Sequence, residues 1–160
     1  MEFLKSSGFL ALTSLVLIMT SLTAEAHPRF RLVCGANGTN IQPYDQINDV
    51  LIGKEGYGYA QVEDCRDALQ ATEETLEPVV CNWNGINFQP YHILTNAGIG
   101  REYFGFAVGR DCNDAVRAAR RNVICNWNGS GFQMYNITTN QSIGRVGVTT
   151  LQECVQMIHP

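Results

Sequence analysis

The chain has 160 residues, 45% of them hydrophobic and 16% charged, and carries a net charge of −4. This length suits one domain of ordinary size, and the acidic balance argues against a nucleic-acid partner, since binding to phosphate backbones draws on clustered Lys and Arg. The one basic cluster, Arg117, Arg120 and Arg121, is answered by Glu73, Glu74 and Glu77 on the matching earlier segment and reads as a solvated helix face.

The chain opens with Lys5, an apolar run from Phe9 to Leu22 and the small-x-small triplet Ala24-Glu25-Ala26. These are the parts of a secretory signal peptide cut after Ala26. Residues 1–26 are expected to be removed, leaving 27–160 as a single exported domain. The apolar run is short of the roughly 20 residues that span a bilayer, and no later run approaches that length, so membrane insertion is not expected. The location is extracellular, or periplasmic in a Gram-negative bacterium. Cleavage would make His27 the terminal residue. A terminal amine plus imidazole chelates copper when a second histidine joins, a brace that resembles the one used by lytic polysaccharide monooxygenases. The resemblance is one residue deep: those enzymes are immunoglobulin-like sandwiches, and Pro28 follows here. No cofactor is assigned.

From Cys34 onward one pattern is written three times. Cys-Asn-Trp-Asn-Gly begins at Cys81 and again at Cys125, with a worn copy, Cys-Gly-Ala-Asn-Gly, at Cys34. With Cys34 laid on Cys81, no gap is needed to bring Gln42, Pro43 and Tyr44 onto Gln89, Pro90 and Tyr91, and Cys65 onto Cys112. The third copy matches through Gly144 and Arg145, then loses two residues before Cys154. The copies run over about 32–76, 79–121 and 123–159. Such a period signals one supersecondary unit per copy, with neighbours closing a shared core.

Each copy begins with a β-hairpin. In the second, Val79 to Trp83 and Ile86 to Thr95 are β-rich runs about an Asn84-Gly85 turn pair; Asn37-Gly38 and Asn128-Gly129 stand at the same point. Pro43 and Pro90 cannot donate to a ladder and are expected at an edge or a bulge, with Met134 in that place in the third copy. An Ile-Gly pair follows at Ile52, Ile99 and Ile143, then a glycine and aromatic segment. A helix comes last. Val62, Cys65, Ala68, Leu69 and Thr72 recur at helical spacing, as do Val108, Cys112, Ala115, Val116 and Ala119, and then Leu151, Cys154, Val155 and Ile158. Thr150 and Glu153 form a capping box. Asp64, Asp111 and Glu153 occupy first turns, where the helix dipole stabilises a carboxylate. The expected fold is α+β: three tandem ββα units in pseudo-threefold arrangement about one core.

Six cysteines, two per copy, in an exported chain imply three disulfides. Equivalent units should be bridged equivalently, which leaves two schemes. One is internal: Cys34–Cys65, Cys81–Cys112 and Cys125–Cys154. The other is cyclic: Cys65–Cys81, Cys112–Cys125 and Cys154–Cys34. The internal scheme is preferred, because the cyclic one needs a bridge that closes nearly the whole chain. Zinc ligation is disfavoured, as no CxxC pair exists.

An active site needs unlike groups in one set, so residues written three times are poor catalytic candidates. No hydrolase, zinc-protease, P-loop, EF-hand or dinucleotide motif is present. His92 replaces Asp45 and Asn136 of the other copies and reads as a solvated strand position; His159 lies at the terminus. The chain is therefore expected not to be an enzyme. Trp83 and Trp127 are more suggestive. Flanked by Asn82 and Asn84 or by Asn126 and Asn128, each offers an aromatic plane with neighbouring amides, which suits a sugar ring, and two such places add avidity for a repeating glycan. The competing reading packs each Trp beneath its own turn, with the asparagines setting turn geometry. The function expected is that of a secreted, non-catalytic, lectin-like binder of glycans. The alternatives are an inhibitor of a secreted protease or other hydrolase, and a structural component of an envelope or matrix; the partner is a glycan or an extracellular protein. Asn37, Asn128, Asn136 and Asn140 begin Asn-x-Ser/Thr triplets, which are acceptors for glycan attachment if the pathway is eukaryotic.

Overall fold

The computed structural model describes residues 30–160. The expected signal segment, its expected cleavage site and His27 lie outside the described residues. The rest is mixed α+β, with three sheets, three helices and three disulfides. Strands β1 (Leu32–Asn37), β2 (Asn40–Asp45) and β3 (Val50–Leu51) form the first sheet, followed by α1 (Val62–Glu73). Strands β4 (Val79–Trp83), β5 (Phe88–His92) and β6 (Ala97–Gly98) form the second, followed by α2 (Gly109–Arg117). Strands β7 (Val123–Trp127), β8 (Phe132–Asn136) and β9 (Ser142–Val148) form the third, followed by α3 (Leu151–Ile158). Every sheet is antiparallel in chain order, so β2, β5 and β8 are the central strands.

This order corrects the placement of the prolines. Pro43 pairs with Cys34 and Pro90 with Cys81, in the middle strands rather than at an edge. A central proline is tolerated because its nitrogen and carbonyl face the short third strand, where the carbonyls of Pro43 and Pro90 accept the N–H groups of Ile52 and Ile99 at 2.7 and 2.8 Å. The missing N–H then limits that strand: β3 and β6 have two residues each. Where Met134 restores the donor, β9 extends to seven residues, with a bulge opposite Phe132 to Met134.

Each sheet is tied to the helix that follows it by the internal disulfide scheme: Cys34–Cys65, Cys81–Cys112 and Cys125–Cys154. Helix α3 starts with the expected capping box, in which the Thr150 hydroxyl accepts the Glu153 N–H and the Glu153 carboxylate accepts the Thr150 N–H. Bonds from Thr149 and Thr150 hold the Glu153 carboxyl below its ordinary range. Helices α1 and α2 start at Gln61 and Val108 with no side-chain cap, so Asp64 and Asp111 act there only as first-turn charges.

The main core runs through all three sheet-and-helix sets, from Ile52 and Tyr59 through Val80, Tyr91 and Ile99 to Ile124, Tyr135 and Ile137. A smaller cluster of Cys125, Cys154 and Ile158 lies under α3. Strand β4 is buried over four of its five residues, so the middle sheet is covered on both faces. Packing joins consecutive sets: α1 lies against α2 and β4, and α2 against β7 and α3. The hydrogen bonds between sets do the same, first to second and second to third. Closure of the third set onto the first, which a threefold axis requires, is not shown by these contacts.

Candidate functional site

The Asn-Trp-Asn-Gly segments fall where one set meets the set before it. On a strand, alternate residues face opposite ways. Cys81 therefore faces α2, and Asn82 faces the first set. Its Nδ2 donates to the carbonyl of Ile52 at 3.0 Å, and the residue is fully buried. Asn126, also fully buried, donates to the carbonyl of Ile99 at 2.7 Å. A second asparagine completes each junction. Asn96 Oδ1 accepts the Gly53 N–H at 2.6 Å while its Nδ2 donates to the Leu51 carbonyl at 3.2 Å. Asn140 treats Gly100 and Gly98 in the same way, at 2.6 and 3.1 Å. Asn96 and Asn140 take φ of 54° and 54°, in the left-handed region that asparagine tolerates best after glycine. The Ile-Gly pairs thus have a function in the fold. Gly53 lies at φ 112°, and a Cβ there would overlap the Asn82 amide.

The hairpin turns are also occupied. Asn84 is buried; its Oδ1 accepts the N–H groups of Ile86 and Asn87, and its Nδ2 donates to Gln89 Oε1 at 3.0 Å. Asn128 is half-buried and makes the matching bond to Gln133 at 2.8 Å, as Asn37 does to Gln42 at 2.7 Å. Above the second turn lies the ring of Tyr57, and above the third the ring of Phe104, so close that a side chain at Gly85 or Gly129 would overlap them. Among the described residues, the first of the three turns, at Gly38, has no neighbour within 4 Å of the position a side chain would take. Four asparagines named from the sequence as sugar partners therefore have their Nδ2 groups engaged within the protein, though the buried Asn82 Oδ1 has no partner among the described residues. The Nδ2 groups of Asn37, Asn128 and Asn140 are likewise engaged, so glycan attachment at any of these sequons competes with a bond of the fold.

Trp83 and Trp127 stand differently. Both are half-buried at the ends of their strands, on the face that carries the disulfides. The Trp83 ring rests on Phe88 with centroids 5.0 Å apart, and the Trp127 ring on Phe132 at 5.2 Å. Phe88 in turn stacks on Tyr59 at 5.7 Å, and Phe132 meets Phe106 at 5.7 Å, so each three-ring group bridges two sets. Among the described residues, neither indole N–H has a protein acceptor. The buried Tyr59 hydroxyl donates to the Cys81 carbonyl at 2.7 Å, pinning the same joint from below.

The histidine readings need one correction. His92 is buried, not solvated. Burial lowers its basicity, and Nδ1 accepts the Thr95 N–H at 3.2 Å, so the ring closes the turn after β5 as a neutral group. The exposed His159 ring meets the Ala118 carbonyl at 2.8 Å, joining the terminus to the end of α2. All six cysteines are in disulfides, and among the described residues no group of three His, Cys, Asp or Glu side chains is placed to hold a metal ion.

Two open grooves lie among the described residues. One, of about 660 Å³, lies between α1 and α2 over Tyr59 and Phe88. Arg117 crosses it, bonded to Asp67 at 3.0 Å, Glu74 at 2.9 Å and Asp114 at 3.0 Å. The other, of about 420 Å³, lies where the first and second sheets meet, beside Lys54, Tyr91, Glu102 and Tyr103. Sequence reasoning missed this second groove. Its signal was present in the sequence, since Tyr103 stands where the first copy has Gly56. No protein-family model matches the chain, and neither a curated protein nor a solved structure matches it.

Proposed function

We propose that the chain is an exported, non-catalytic binding module for glycans, built from one sheet-and-helix unit repeated three times. The units form a row, each gripping the Ile-Gly loop of the one before, in place of a closed ring. The observation that carries the glycan reading is the pair Trp83 and Trp127. Two half-buried tryptophans at matching places on consecutive units, each braced by a phenylalanine, keep an N–H donor with no protein acceptor among the described residues. Sugars stack their C–H faces on such rings and accept from such donors. With the flanking amides engaged, the rings rather than the asparagines make the contact. Three disulfides and the lack, among the described residues, of any helix long and apolar enough to cross a membrane support an extracellular setting. A glycan array probed with the wild type and with the Trp83→Ala, Trp127→Ala double variant tests this. Binding that disappears in the double variant supports the reading; binding that is absent, or indifferent to both rings, removes it.

The inhibitor reading draws on one observation, the uncovered first turn at Gly38. Titration against secreted proteases and glycosidases, with the 37–40 turn replaced by Gly and Ser residues, tests it.

A further inference from the structure

The groove between the first and second sheets contains a residue that the fold alone does not explain. With Cys34 laid on Cys81, Tyr103 falls on Gly56. Gly56 has φ 80° and Tyr103 has φ 65°. The left-handed region is open to glycine, but a bulky aromatic residue there is an outlier held under strain. Tyr103 gains little burial in return, remaining 45% exposed. Strain held at a solvent-facing aromatic residue is a mark of function. Its ring borders the groove, with Lys54 Nζ 5.0 Å from its centroid and 5.1 Å from that of Tyr57.

The opposite wall supplies polar partners. Tyr91 is 94% buried by its 6% exposure and lines the groove. Burial keeps the phenol protonated, with its pKa pushed up to about 12, against a smaller opposing effect of the Lys54 backbone. The O–H proton has no acceptor among the described residues. The Glu102 carboxylate lines the same groove and offers an acceptor. Lys54 and Glu102 offset one another in charge. At about 420 Å³ the groove lies within the range of small-ligand sites, about 300–1,000 Å³. One aromatic platform, one buried donor, one carboxylate and no net charge match the hydroxyls and apolar face of an uncharged sugar ring.

We infer that this groove is a subsite for a single neutral sugar unit, which stacks on Tyr103 and pairs its hydroxyls with Tyr91 and Glu102. The inference rests on the glycan reading above and places a contact that the tryptophans do not provide. The test is titration of the intact oxidised chain with glucose, galactose, mannose, N-acetylglucosamine and glucuronate, followed by NMR, with thermal unfolding measured alongside. Neutral sugars are expected to shift the resonances of Lys54, Tyr91 and Tyr103. Tyr103→Gly should weaken binding about tenfold or more, as loss of a stacking ring does, while Tm holds or rises because glycine fits the backbone. A structural tyrosine would behave in the opposite way: a lower Tm with sugar affinity retained overturns the inference. Binding lost in the Trp83→Ala, Trp127→Ala variant but unchanged in Tyr103→Gly overturns it too, and leaves the glycan reading standing. Selective binding of glucuronate overturns the neutral class. No binding of any sugar, here or on the array, removes both.

Discussion

At the scale of single residues, the buried amides decide most. Asn82→Ala would remove one of the two amide donors to the buried Ile52 carbonyl, which keeps its bond from Gln42, a loss of about 1 kcal/mol. Asn96→Ala acts on the same loop, so the two changes together should cost less than their sum; denaturant unfolding of the single and double variants measures the coupling. Gly53→Ala should be worse than either, since it combines a left-handed backbone with overlap on Asn82. His92 makes a prediction in pH. Its basicity is lowered in the folded chain, so its contribution to stability is complete above the ordinary histidine range and is lost as pH falls below about 6.5, through the lower folded value. Unfolding curves at pH 7 and pH 5 should therefore differ for the wild type, and the difference should shrink in His92→Asn. Local pattern did not reveal this burial, because His92 stands where the other copies have Asp45 and Asn136. Asp45 is also buried, with its carboxylate accepting N–H groups of Arg31 and Ile47. All three side chains close the same turn, each with its own acceptor.

At the scale of the element, most was legible from the sequence. Two β-rich runs about Asn-Gly give hairpins in register, Cys81 opposite Pro90 and Cys125 opposite Met134. Helical spacing placed α1 to within a residue of its observed ends. Strand order was less accessible. Whether Pro90 sits at an edge depends on the third strand, and a two-residue strand such as Ala97–Gly98 leaves no periodic trace. The prolines also set strand length. Met134→Pro should shorten β9 toward the length of β3 and β6, visible as fast amide exchange over 144–148. Each disulfide closes a loop of about 30 residues and contributes roughly 3–4 kcal/mol through the unfolded chain. Replacing Cys81 and Cys112 together by serine should lower the unfolding free energy by about that amount. The middle pair is the informative one, because its sheet is buried on both faces.

At the scale of the molecule, the joints between consecutive sets include asparagine clamps at the Ile-Gly loops, three-ring aromatic groups under the turns, and charges between helices. The last is the weakest. Arg117 is partly exposed and its three carboxylate partners more so, and such networks are worth about 1 kcal/mol and are screened by salt. Arg117→Ala should cost about that in low salt and little at 1 M NaCl, by thermal unfolding at both ionic strengths. The first and the last sets differ in kind. The first set has Gly35 and Asp49 where the others have clamp asparagines, while Ser142, Ile143 and Gly144 at the other end are exposed and ungripped.

The amino-acid order by itself showed the three copies, narrowed the pairing of their cysteines to two schemes, and marked the hairpin turns and the helices. Each of these rests on neighbours in sequence or on equivalence between copies. Only the tertiary structure decided what Asn82 and Asn126 face, that Tyr57 and Phe104 cover the next turn, and that Tyr103 holds a glycine's backbone at a groove. Those depend on which surface of one set meets another, and a period read along the chain carries the length of a unit but not the direction in which the next one is laid against it.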